Sequence, residues 1–269
     1  MKNHYFSSSS SREKLRQEID KGLAGVKVYQ SINLPDFRSM GKRKKPDARL
    51  GIILKCLEPA KKRILDLGCS NGFFCYELAK RGGVVIGVDK NQEVLALNRK
   101  ISAYYGWDID FYDAFLDPIF LRNLPRYDAI LFLSVLHHIF NNTLVEPIER
   151  CRQVIATLAE KTDLLIFEIG QSGEPFAWSR KLALMEPDPK QWILQNLFRG
   201  SGFNNIEVIE PPAFNFGALA SLRRRIWEIN RRWAVLPPRN YLRKILAHLL
   251  VRLFIYDPRD TRFIFIARK

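Results

Sequence analysis

Short apolar runs separated by amphipathic stretches recur along the middle of the chain, with the spacing of strands and helices in alternation. Ile64–Leu67 and Val84–Val88 are two such runs, each bounded by turn residues, and they read as strands buried in a parallel sheet. Between them Phe73, Phe74, Glu77, Leu78, Lys80 and Arg81 form an amphipathic run. Asp47–Leu57 reads as a helix leading into the first strand and Gln92–Tyr104 as a later one. Ile109–Tyr112 is a third strand, and the apolar run after Tyr127-Asp128 a fourth. Thr143–Ala159 is an amphipathic helix, Leu164–Ile169 a fifth strand, and Lys190–Arg199 a helix closed by Gly200 or Gly202. Asn205–Ile209 is the sixth strand and Arg262–Ala267 the last. Strand and helix in this alternation predict an α/β domain.

The flanks read differently. The first twenty residues open with five serines, Ser7–Ser11, expected to be poorly ordered before a charged, helix-prone stretch. Between the sixth and last strands some fifty residues intervene. There Leu219, Leu222, Ile226, Ile229 and Trp233 make one apolar helical stripe, with Arg223, Arg224, Arg225, Arg231 and Arg232 on the other faces. After Pro237-Pro238 a second stripe runs through Leu242, Ile245, Leu246, Leu249, Leu250 and Leu253. The expected organisation is an N-terminal extension or lid (1–46), a core (47–210), a basic helical insertion (211–258) and a final core strand (259–269).

At 269 residues and 47% hydrophobic, the chain suits one α/β domain with extensions. The formal charge of +15 is uneven: the stretches 1–62, 63–210, 211–258 and 259–269 carry +9, −4, +7 and +3. A mildly acidic core between basic flanks points to an anionic partner: RNA, an anionic membrane surface or a phosphorylated substrate, with RNA or membrane engaged through the five arginines of the insertion. Lys42–Lys45 is a second compact basic cluster. Cys56, Cys69, Cys75 and Cys151 have no metal-ligand spacing, so no metal is expected and the thiols read as reduced, in a cytoplasmic protein. No apolar leader opens the sequence, and Ile245–Tyr256 is too short to span a bilayer. Peripheral attachment at the inner membrane face is the remaining membrane expectation.

The chemistry centres on Asp66-Leu67-Gly68-Cys69-Ser70-Asn71-Gly72. Strand, glycine turn and helix in succession bring backbone N–H groups and a helix N-terminus to a polar ligand. Asp89 ends the next strand, 23 residues after Asp66, where an acidic residue commonly meets ribose hydroxyls. Together they narrow the ligand to a nucleoside-containing cofactor. A dinucleotide loop G-x-G-x-x-G would need glycine at positions 70 and 73, which hold Ser70 and Phe73. The segment resembles instead the first motif, D-x-G-x-G-x-G, of the class I S-adenosylmethionine-dependent methyltransferases, with Ser70 replacing the middle glycine. That resemblance implies a three-layer Rossmann-like sheet, mostly parallel with the last strand antiparallel, and S-adenosyl-L-methionine as cofactor. It further implies that Gly68, Cys69 and Gly72 admit the cofactor's amino-acid end, that Asp66 meets its ammonium and Asp89 its ribose, and that Asp113-Ala114 lies at the adenine. Ser70, Lys90 and Ser134 complete the implied cofactor set. Tyr29 and Gln30 are lid candidates, and Glu174 and Trp178 acceptor-wall candidates, by the same resemblance.

Tyr127–His138, YDAILFLSVLHH, resembles the family's fourth strand and the loop that faces substrate. His138 is the favoured general base, with His137 and Glu168 as the other candidates, because imidazole titrates near neutrality. The alternative is that one of the two histidines packs beneath the loop and bonds the backbone. The acceptor is an oxygen or nitrogen: there is no N-P-P-Y signature and no pair of catalytic cysteines. GVD, VLHH and FE resemble, distantly, the bacterial tRNA wobble-uridine carboxymethyltransferase-like group. A small molecule, lipid or glycan stands ahead of RNA, since no RNA-binding module is recognisable. A non-catalytic binding protein is the other alternative, opposed by the intact Asp66, Gly68, Gly72 and Asp89.

Overall fold

The computed structural model describes residues 9–26, 28–41, 48–139, 148–170, 188–210 and 262–269. The cluster Lys42–Lys45, the start of the helix expected from Thr143, the segment with Glu174 and Trp178, and the insertion with Arg223, Arg224, Arg225, Arg231 and Arg232 lie outside the described residues. Seven strands form one sheet: β3 (Arg63–Leu67), β4 (Val84–Asp89), β5 (Ile109–Asp113), β6 (Ala129–Leu133), β7 (Leu164–Glu168), β8 (Asn205–Ile209) and β9 (Ile264–Arg268). Their order is β5-β4-β3-β6-β7-β9-β8, and β9 runs antiparallel to both of its neighbours. The Rossmann-like, mostly parallel sheet with an antiparallel last strand is therefore present. A separate two-stranded sheet pairs β1 (Ile32–Asn33) with β2 (Arg38–Ser39). Packing divides the chain between Leu131 and Phe132 into two compact units.

In the first unit, β3 pairs in parallel with β4 on one side and with Ala129–Leu131 of β6 on the other. The chain leaves β3 outward through β4 and β5 and returns to the far side of β3, so a switch point lies at the carboxyl end of β3. Helices α2 (Ala48–Cys56), α3 (Phe73–Ala79), α4 (Gln92–Tyr105) and α5 (Pro118–Arg122) alternate with the strands. Asn91 caps α4 by accepting from Val94 N–H at 3.2 Å, and Gly106, at φ 66°, closes it. The five-residue α5 escapes the periodicity argument because it is too short to show a stripe; Asp117 at its N-cap and Pro118 at its first position define it. The N-terminal helix α1 (Ser9–Gly25) begins within the serine run and packs on α4, where a Cβ at Gly22 would stand 2.9 Å from Leu97 Cδ1.

The second unit is built on β7, β9 and β8, with Phe167 opposite Phe265 and Ile209 opposite Ile264. Phe132, Phe167, Phe198, Phe203 and Phe265 interlock there, with ring centres 5.4 to 6.4 Å apart. Helix α6 (Leu136–Ile139) follows β6, and α7 (Ile148–Lys161) precedes β7. The helix expected at Lys190–Arg199 begins one residue earlier and is of two kinds. Pro189 is its first residue because Asp188 caps it, accepting from Lys190 and Gln191 N–H at 2.9 and 3.2 Å. After α8 (Pro189–Ile193) the chain widens into a π-helical turn, Leu194–Phe198, and Gly200 and Gly202 follow at φ 73° and 94°. Among the described residues no helix is long and apolar enough to cross a membrane.

Gly87 sits where a β-carbon has no room: it would stand 2.8 Å from the Phe111 ring and 3.0 Å from Cys69 Sγ. Gly87→Ala is expected to lower unfolding stability by about 1–3 kcal/mol, measured by urea denaturation.

Candidate active site

The turn from β3 to α3 is assembled from left-handed backbone. Gly68, Ser70 and Gly72 have φ of 75°, 49° and 73°. Gly72 is obligatory on two counts, since a Cβ there would also stand 2.8 Å from the Tyr76 ring. Ser70, with a side chain, holds the same region at a cost of about 1–3 kcal/mol. Asp89 offsets that cost: its Oδ2 accepts from Ser70 N–H at 2.9 Å and its Oδ1 from Asn91 N–H at 3.0 Å. Gly68 and Cys69 N–H both donate to Val88 C=O, at 2.7 and 3.0 Å. From the other side Asn98 Nδ2 donates to Ser70 C=O at 2.8 Å, and Tyr76 Oη donates to Asn98 Oδ1 at 2.9 Å. A carboxylate oxygen has two acceptor positions, so each Asp89 oxygen retains one after holding the turn.

Asp66 is buried at the end of β3, where Cys75 Sγ donates to its Oδ2 at 3.4 Å. Burial pushes its carboxyl up to about 7, against the opposing effects of the Cys75 contact and the Arg49 charge. Arg49, only 4% exposed, lies with its guanidinium 5.1 Å from the centre of the Phe74 ring. Sequence patterning alone does not single out Arg49. Its signal there is its place four residues before Ile53, which is fully buried on the inward face of α2.

Asn71 was also unremarked, and it fastens the preceding segment to this turn. Gln30 N–H donates to Asn71 Oδ1 at 3.0 Å, and Asn71 Nδ2 donates back to Gln30 C=O at 2.9 Å, with both residues buried. The amide thus imitates a pair of strand bonds. Gly41 closes on the back of Gln30, so tightly that a Cβ would stand 2.4 Å from the Gln30 carbonyl carbon. Farther along, Phe37 is buried edge-on against Tyr104 and Tyr105, and Tyr105 Oη accepts from Asp36 N–H at 3.0 Å. The lid candidate Gln30 therefore acts through its backbone, and Tyr29 beside it is half-buried. Lys90 places its ammonium 5.2 Å from the centre of the exposed Phe115 ring. Asp113 is exposed and accepts from Gln92 Nε2, and Ala114 N–H donates to Asp89 C=O at 3.1 Å.

In the second unit the other candidates collect around one buried ion pair. Glu168 and Arg262 are almost fully buried and 3.3 Å apart. Ser134, at φ 64°, donates its hydroxyl to Glu168 Oε1 and accepts from Arg262 Nη1 at 2.6 Å, and its N–H bonds Glu168 C=O at 2.7 Å. Charges this deeply buried persist only when paired and hydrogen-bonded, as these are. His137 is the histidine that packs beneath the loop: 1% exposed, it accepts from Gly170 N–H through Nδ1 at 3.4 Å. Burial, reinforced by the Arg262 and His138 charges, holds its imidazole well below the usual range. His138 is exposed, with its ring centre 4.2 Å from that of His137.

Comparison with known proteins agrees with this architecture. Residues 64–157 match the family model described as a methyltransferase domain. The chain is 30% identical over 141 residues to the O-antigen chain terminator bifunctional methyltransferase/kinase WbdD of Escherichia coli, a match covering 50% of this chain and 18% of that protein. It is 27% identical over 96 residues to the ubiquinone biosynthesis O-methyltransferase of Saccharophagus degradans, covering 36% of this chain and 40% of that one. The chain thus spans well under two thirds of the length of these relatives. Among solved structures, the 2.2 Å crystal structure of WbdD superposes with a TM-score of 0.57 at 24% identity, covering 71% of this chain and 42% of that one. The N-terminal domain of EvdMO1, crystallised in the presence of SAH and D-fucose, gives 0.55 at 17%, covering 78% and 93%. These superpositions speak to the fold. Residues 64–157 thus resemble a methyltransferase domain, within a fold shared with these solved structures.

Asn71→Ala leaves the buried Gln30 N–H and C=O without their partners. It is expected to lower stability by about 1–3 kcal/mol and to remove the hydrogen-exchange protection of the Gln30 amide, read by exchange mass spectrometry.

Proposed function

We propose that this chain is an S-adenosylmethionine-dependent O-methyltransferase acting on a hydroxyl of a small molecule, lipid or glycan. The observation that carries the reading is the Asp89-clasped turn, with Asp66 and Arg49 buried near one another in the same unit. An adenosine cofactor with an amino-acid end asks for an acceptor for its ribose hydroxyls, an anion for its ammonium and a cation for its carboxylate. Asp89, Asp66 and Arg49 fit those needs, Arg49 being the residue that completes the set. When bound, the cofactor supplies an electrophilic methyl group on a sulfonium. The protein's tasks are to hold it, to orient the acceptor, and to take the acceptor's proton.

For the proton we assign His138. Glu168 is committed to Arg262 and Ser134 and would have to give up a buried ion pair to act as a base. His137 has its Nδ1 engaged by Gly170, which leaves the proton on Nε2. His138 has the exposure that proton exchange with solvent requires. The acceptor class rests on the two relatives matched by sequence, one named for an O-antigen and the other for ubiquinone biosynthesis. An oxygen acceptor is common to this reading and to the second of those names.

Four measurements test it. Asp89→Ala is expected to weaken S-adenosylhomocysteine binding about tenfold or more, with NAD bound by neither protein; unchanged binding overturns the cofactor site. Arg49→Gln should weaken S-adenosylhomocysteine comparably while leaving adenosine, which lacks the amino-acid end, unaffected. The ligand ammonium favours ionised Asp66, so affinity should fall about tenfold per pH unit below 7, with proton release seen by calorimetry in two buffers; Asp66→Asn should abolish that slope. Methyl transfer from radiolabelled S-adenosylmethionine into a cell extract then reads the acceptor: label in organic-extractable or glycan fractions is expected, and label in an RNase-sensitive fraction would overturn the acceptor class.

A further inference from the structure

The second unit contains a cavity of about 630 Å³ lined by Arg152, Gln195, Asn196 and Arg199. Among the described residues its lining is two guanidinium groups and two amides, with no carboxylate. That is notable in a stretch, 63–210, whose net charge is −4.

The π-helical turn explains how these groups come together. Arg199 N–H reaches back five residues to Leu194 C=O at 3.0 Å, so Gln195 and Arg199 stand almost one wide turn apart. Asn196 folds its side chain back, donating Nδ2 to Trp192 C=O at 2.9 Å. Its own carbonyl falls in the last turn, among those a helix end leaves without a backbone donor, and accepts from Arg152 Nε at 3.2 Å. Arg152 is thereby carried across from α7 and fixed. Its Nη1 also meets the exposed Glu149 at 3.0 Å, outside the cavity lining, so two of its groups are spent and Nη2 is not. Arg199 makes no side-chain hydrogen bond or ion pair among the described residues and is exposed.

We propose that this cavity binds a phosphate group, carried either by a soluble phosphorylated ligand or by a phospholipid headgroup. Two guanidinium forks match a phosphate dianion in charge and in donor geometry, and Gln195 adds an amide donor. The volume of about 630 Å³ leaves room for a ligand larger than phosphate alone. The charged and amide side chains of the lining make the phosphate, rather than an acyl chain, the recognised part.

The test uses the full chain, with inorganic pyrophosphate as the soluble probe and phosphatidylcholine vesicles with and without phosphatidic acid as the lipid probe. Arg199→Gln removes no contact within the described protein, so it should leave the melting temperature and S-adenosylhomocysteine affinity unchanged. It is expected to weaken pyrophosphate binding about tenfold, with Arg199→Lys intermediate and Arg152→Gln at least as weak. Pyrophosphate binding that the vesicles do not displace identifies a soluble ligand. Phosphatidic-acid-dependent retention that Arg199→Gln reduces identifies a headgroup. If neither probe binds, or if both bind Arg199→Gln as they bind the unaltered chain, the proposal falls; because S-adenosylhomocysteine is measured in parallel, its failure is distinct from failure of the cofactor site.

Discussion

Five residues separate a buried strand from a buried helix between Leu67 and Phe73, and the carboxylate of Asp89 is what makes that passage stable. Three of the five are left-handed, one of them a serine. Strain of about 1–3 kcal/mol at a non-glycine residue is of the same size as a charge-assisted hydrogen bond to a buried N–H, about 1.5–3 kcal/mol. Asp89 makes one such bond to Ser70 itself. The same side chain thus builds the turn and keeps acceptor capacity for a ligand, which ties the shape of the site to its chemistry. Asn98, Tyr76 and Asn71 hold the turn from the other sides, so its backbone is fixed before any ligand arrives.

The strands and the glycine turn were legible because burial on both faces leaves continuous apolar runs, and because left-handed backbone leaves glycines at fixed offsets. Asp66 and Asp89 were legible for the same reason: one lies next to the last residue of such a run and the other closes the next. Arg49 and Asn71 were not, since a buried arginine in an amphipathic helix looks like one more solvated charge, and a turn asparagine looks like a turn former. Their roles exist only through partners 17 and 41 residues away in the chain. The two histidines show the same limit. Adjacent and chemically identical, they part company only when the fold buries His137 and exposes His138. The π-helical turn was read as ordinary helix because its composition, Leu194–Phe198, is that of any amphipathic segment.

Buried charge is used differently in the two units. In the first, Asp66 and Arg49 are both buried, and burial outweighs the Arg49 charge, so the carboxyl takes a raised pKa. In the second, Glu168 and Arg262 are in contact and bridged by a hydroxyl. That arrangement is closed, and is suited to holding the Ser134–His138 loop still.

Ser134 has a consequence for the descent of this loop. Its φ of 64° favours glycine or asparagine, while its bonds to Glu168 and Arg262 require a hydroxyl. Glycine would keep the backbone and abandon the ion pair to fewer partners; threonine would keep the hydroxyl and set a branched carbon in a conformation that resists it. Serine alone satisfies both demands. Change within this segment is therefore expected at its neighbours before position 134, where one backbone shape and one hydroxyl are demanded together.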